Sequence, residues 1–118
     1  MARDESVPGF AELSDWPFTP RPPVRIADYG WYRDGGPQGG TFYVDLEDAE
    51  GRRIPFFFER FLGRLCYGSA YETGDDAAFL KKGSRVQSEA FAIIGELAAS
   101  SPEYAVVAER LERSRRWL

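Results

Sequence analysis

The chain contains no histidine among its 118 residues. That absence removes Ser-His-Asp and Cys-His catalysis, histidine-ligated zinc and the side chain that ordinarily switches charge near neutral pH. Cysteine is scarce too. Cys66 stands alone, so no internal disulfide forms and no paired-cysteine zinc motif exists. Lysine appears only as Lys81 and Lys82 beside 13 arginines, a bias read first as codon usage in a GC-rich genome rather than as phosphate recognition. No apolar run approaches membrane-spanning length, and Arg3, Asp4 and Glu5 place charges where a signal peptide needs its apolar segment. A cytoplasmic protein without cofactor, metal or catalytic residues is expected.

What is present points to a packed core. At this length one domain can bury roughly two-thirds of its unfolded surface without cross-links, and 15% aromatic residues supply large side chains for it. The net charge of −4 is unevenly spread. Residues 1–50 hold 10 acids against 4 bases, residues 51–83 hold 4 against 6, and residues 84–118 hold 5 against 5. Without a clustered positive surface, neither a nucleic acid nor a membrane is expected as partner. An acidic face suits a protein partner with a basic surface, and a homodimer is the other association considered.

Residues 1–23 contain five of the eight prolines together with Phe10, Trp16 and Phe18, and read as an extended aromatic arm that packs on the domain formed by residues 24–118. Residues 24–32 and 41–47 are strand-like, joined by the glycine-rich residues 34–40. Asp48-Ala49-Glu50-Gly51 then predicts a tight hairpin with Gly51 at positive φ. Phe42, Val44 and Leu46 alternate with Tyr43, Asp45 and Glu47. In the next strand Ile54, Phe56 and Phe58 alternate with Arg53, Pro55, Phe57 and Glu59. Two matching apolar triplets in paired strands imply one buried face. Residues 55–62 also admit a two-turn helix, but the β-favouring residues and the hairpin turn agree with each other. A further strand paired to this hairpin is expected over residues 64–70, and residues 75–83 fit a short helix or a loop with a strand near Phe79.

Ser84 and Gln87 form a capping box before a helical stripe of Val86, Ala90, Ile93, Ile94 and Leu97. Ser101-Pro102-Glu103 restarts a helix with Tyr104, Val107, Ala108 and Leu111 as its apolar stripe. The expected fold is α+β: a small antiparallel meander of three or four strands packed against two C-terminal helices, with the proline-rich arm on or near the other face.

Most chemical motifs fail on inspection. Residues 35–41, GGPQGGT, echo a phosphate loop but lack its lysine and lead into a strand. Taking Asp45 as the first ligand of a calcium loop puts Glu50 where that loop needs glycine. Cys66 lacks a histidine to activate it, and no spacing fixes the separation of Glu59 from Glu72. Residues 20–25, PRPPVR, match a short polyproline ligand pattern that arises easily in such an arm. In the tail, Glu109 with Arg113 and Glu112 with Arg116 are four apart in the order that pairs charges along a helix, and Trp117 is expected to fold back.

One candidate site survives. Tyr43 and Phe57 lie opposite the core triplets, with Trp31 expected beside them, and Asp45, Glu47, Asp48 and Glu50 add acids at the hairpin end. These seven residues define a protein-binding face for a non-catalytic module, an inhibitor, immunity-type protein or complex subunit that acts by occlusion. Two alternatives belong to other classes. One is a small-molecule sensor with a pocket lined by Phe61, Tyr67 and Phe91, and the other an enzyme using Cys66 or carboxylates.

Overall fold

Two alternating runs build the middle of the sheet. In the computed structural model, which describes residues 11–32, 40–60, 62–69 and 77–118, they form strands β3 (Thr41–Glu47) and β4 (Arg53–Phe58), antiparallel and in register from Phe42 opposite Phe58 to Glu47 opposite Arg53. Asp48 and Gly51 close the connection through the Gly51 amide to the Asp48 carbonyl, 3.0 Å, and Gly51 takes φ +79°. That left-handed conformation is cheap only for glycine. The helical alternative for residues 55–62 does not form.

The sheet is larger than the expected meander. Strands β1 (Ala11–Leu13), β2 (Arg25–Tyr32), β5 (Leu65–Tyr67) and β6 (Ala78–Leu80) complete a six-stranded sheet in the order β1-β6-β5-β4-β3-β2. Only β1 and β6 pair in parallel, so the sheet is mixed. Of the strands beyond that meander, β6 is the short strand near Phe79 offered as one alternative for residues 75–83 and β1 is new; each has three residues, too few to show a period of two. β1 is also hidden inside a proline-rich segment. The glycine-rich connector lies outside the described residues except for Gly40, as do residues 70–76.

Between β4 and β5 the chain turns on Glu59. Its carboxylate accepts the Leu62 amide and, at 3.4 Å, that of Arg64, while its own amide donates to the Arg64 carbonyl at 2.9 Å. Helix α1 (Arg85–Ala98) starts with one half of the expected capping box, since the Ser84 amide donates to the Lys81 carbonyl and not to Gln87. The Gln87 amide donates to Ser84 Oγ at 3.1 Å, and Gln87 Oε1 accepts from Gly83, one residue outside the cap. Helix α2 (Ala105–Ser114) begins differently, after a 3-10 turn at Pro102–Tyr104, and Ser101 makes no capping bond to it. No helix among the described residues is long and apolar enough to cross a membrane.

Both helices pack on one face of the sheet. Ile26, Phe42, Val44, Leu46, Ile54, Phe56 and Phe58 meet Val86, Ala90, Phe91, Ile94, Val107 and Leu111 in a single core. From the N-terminal segment Leu13, Trp16 and Phe18 join this same face: Trp16 sets its edge against Phe56 at 6.2 Å, and its indole N–H donates to Glu89 of α1 at 2.7 Å. These aromatics therefore extend the helix-covered core instead of roofing the opposite face.

Candidate functional site

On the second face one cross-strand row runs Gly30, Tyr43, Phe57, Cys66, Phe79 and Glu12 from edge to edge. Phe57 packs with Cys66, Ala77, Phe79 and Tyr43, and only 5% of it is exposed. Phe57 is thus a small second core, not a displayed anchor. Tyr43 is half-buried, its ring passing over Gly30 and its hydroxyl donating to Asp28 Oδ2 at 3.1 Å.

Trp31 is not with them. A β-bulge between Ile26 and Asp28 inserts one residue, so the alternation of β2 shifts and Tyr29 and Trp31 turn to the helix face. There Trp31 stands edge-on to Phe42 at 5.1 Å, and the Arg110 guanidinium lies 4.9 Å above its ring. The three aromatics expected on one face are divided between two.

The hairpin acids are engaged within the chain. Asp45 faces Arg53 at 3.7 Å, Glu47 faces Arg25 and Arg53, and Glu50 faces Arg21 at 3.0 Å and Arg52 at 3.7 Å. Burial pushes the Asp45 carboxyl above the ordinary aspartate range, with Arg53 opposing and Asp28 reinforcing the shift. Asp48 is buried and accepts four hydrogen bonds from the Arg21, Glu50 and Arg52 amides and from Arg52 Nε, with an ion pair to Arg52 Nη2 at 2.8 Å. Four acids interleaved with Arg21, Arg25, Arg52 and Arg53 sum to no net charge. Exposed mixed pairs of this kind give little long-range field.

Cys66 has no solvent exposure, and its thiol donates to the Arg64 carbonyl at 3.7 Å. Burial, and after it the charge of Glu59, pushes the thiol far above its ordinary range, outweighing the opposing Arg64. The Arg64 guanidinium itself lies 4.2 Å over the Phe79 ring. Native protein should resist a water-soluble thiol reagent at pH 8, reacting on the order of 100-fold more slowly than the denatured chain. Rapid labelling of the native state would show that the thiol is reachable.

Among the described residues no group of three His, Cys, Asp or Glu side chains is placed to hold a metal ion. Of the carboxylates considered for acid-base work, Glu59 holds the β4–β5 turn, and Glu72 lies outside the described residues. The same is true of Phe61, named for a sensor pocket; Tyr67 and Phe91 are part of the main core, Tyr67 edge-on to Phe56 at 5.7 Å.

The exposed large hydrophobic residues among those described are Leu62 at 53%, Trp117 at 37% and Leu118 at 44%. They come together at one place. A last 3-10 turn, Arg115–Trp117, carries the chain back so that the Trp117 indole N–H donates to the Leu62 carbonyl at 2.8 Å. In the sequence Leu62 reads only as an apolar position of the helical alternative over residues 55–62, and nothing local links it to Trp117, 55 residues away. No protein-family model, curated protein or solved structure matches this chain.

Proposed function

We propose that the chain is a non-catalytic protein-binding module whose partner docks on Leu62, Trp117 and Leu118. The observation that carries this reading is the coincidence of exposure and order: among the described residues the exposed large hydrophobics are Leu62 and the adjacent pair Trp117 and Leu118, and a hydrogen bond holds the Trp117 ring at Leu62. A tryptophan held in one orientation loses little further freedom on binding, and such residues are frequent interface anchors. Occlusion by this patch fits an inhibitor, an immunity-type protein or a subunit of a complex. The hairpin acids then serve the fold through their arginines, and the docking surface lies at the C-terminal end instead of on the sheet face.

Placing a photo-crosslinking amino acid at Leu62, and as a control at the exposed Ala92 of α1, tests this in cells of the source organism. A discrete adduct from position 62 that is absent from position 92 is expected. Equal adducts from both positions, or none from position 62, would overturn it.

A further inference from the structure

Resting on that docking surface, we infer that its partner presents an acidic segment bearing a large apolar side chain. The helical ion pairs that the tail spacing favours are not made. Glu112 instead meets Arg115 at 3.3 Å, three residues on, and among the described residues neither Arg113 nor Arg116 has an ion-pair partner. Arg110 lies over Trp31 with its Nε buried and without a hydrogen-bond partner. Arg113 lies in the last turn of α2 and Arg116 in the 3-10 turn that follows, next to Trp117, so both cations stand at the end of the helix that carries the exposed tryptophan.

Charge decides among the possible occupants. In the tail Arg110, Arg113, Arg115 and Arg116 outnumber Glu109 and Glu112, so a second cation arriving here meets net repulsion and a carboxylate meets net attraction. A basic partner is disfavoured at this end. A nucleic acid is a poorer match than an acidic peptide, because a few arginines on a chain of net charge −4 make too short a positive track for a phosphate backbone. Among the described residues a membrane surface would engage only three exposed large apolar side chains. Carboxylates paired with Arg113 and Arg116 beside an apolar residue on the Trp117 ring satisfy both features together.

The test uses fluorescence anisotropy with four labelled probes: a short Glu/Leu peptide, its Lys/Leu counterpart, an oligothymidylate, and vesicles of phosphatidylglycerol with phosphatidylcholine. The Glu/Leu peptide should bind best, and raising the salt toward 1 M should weaken it about tenfold or more. The double variant Arg113→Glu, Arg116→Glu should reverse the preference toward the Lys/Leu peptide. Both side chains are exposed, so its thermal melting should match the parent's. Equal binding of the two peptides, an unmoved preference in the double variant, or tighter binding of oligothymidylate or vesicles would overturn the acidic partner. If the Leu62 crosslink persists under any of those outcomes, the docking surface stands and only the partner's chemistry is wrong. Failure of every probe together with absence of the crosslink removes both.

Discussion

Replacing Phe57 by alanine lowers the unfolding free energy by about 3 kcal/mol, the low end for truncating a buried phenylalanine. The ring is 5% exposed and fills the space between Tyr43, Cys66 and Phe79, so its removal leaves a cavity lined by groups that belong to three other strands. A loss of that size is a large share of the roughly 5–15 kcal/mol that holds a small domain folded. Urea denaturation should show it as a fall in midpoint with an unchanged slope. Phe57→Leu, which keeps most of the volume, should cost only about 1 kcal/mol. Tyr43→Phe removes one exposed hydrogen bond to Asp28 and should stay within about 0.5 kcal/mol. A surface ring reserved for a partner would make Phe57→Ala nearly silent, and an unmoved midpoint would refute its burial.

The difference between those outcomes measures how far alternation alone can be trusted. It works for β3 and β4, where seven and six residues carry the pattern and Gly51 marks the turn between them. It places Phe57 opposite Phe56 and Phe58, but says nothing of what else reaches that face. β6 lies 20 residues beyond the end of β4 and brings Phe79 into the row beside Cys66. In β2 the same rule fails, because the bulge near Ala27 has no sequence mark and reverses every residue after it. Trp31 is the casualty. β1 joins β6 across most of the chain, a pairing that local patterning cannot reveal.

Charge was legible as composition but not as arrangement. The hairpin acids look surplus along the sequence, because Arg21 and Arg25 lie more than 20 residues upstream of the carboxylates they meet. At the other end, Glu109 and Glu112 look like partners for Arg113 and Arg116, whereas the short final turn brings Arg115 to Glu112 and leaves the other two arginines available. Helical spacing makes such pairs possible, but the turn that ends the helix decides which ones form.

Asp48 carries the largest expected electrostatic effect on stability. Its Oδ1 accepts the Glu50 and Arg52 amides, each at 3.0 Å, and its Oδ2 accepts the Arg21 amide at 3.1 Å and Arg52 Nε at 3.0 Å. Arg52 in turn donates to the Thr19 carbonyl at 3.1 Å and lies over Phe18 at 4.2 Å, so one carboxylate ties the N-terminal segment to the β3–β4 hairpin. Asparagine at this position keeps an acceptor for the two hairpin amides but turns an NH2 group toward Arg21 N–H and the guanidinium. Asp48→Asn should lower Tm by on the order of 10 °C at neutral pH, and Asp48→Ala, which leaves all the donors unmet, by more. The pH dependence identifies the cause. Burial alone would raise the carboxyl pKa, but the converging donors outweigh it and hold the group well below the ordinary 3.8. A pKa depressed by folding means that the unfolded chain takes up the proton first, so the stabilisation is complete above the unfolded value and is lost as pH falls through the folded one. The Tm gap between wild type and Asp48→Asn should therefore be constant near neutrality and close progressively below about pH 4. A gap that persists unchanged into stronger acid would show that Asp48 acts through packing, not through its charge.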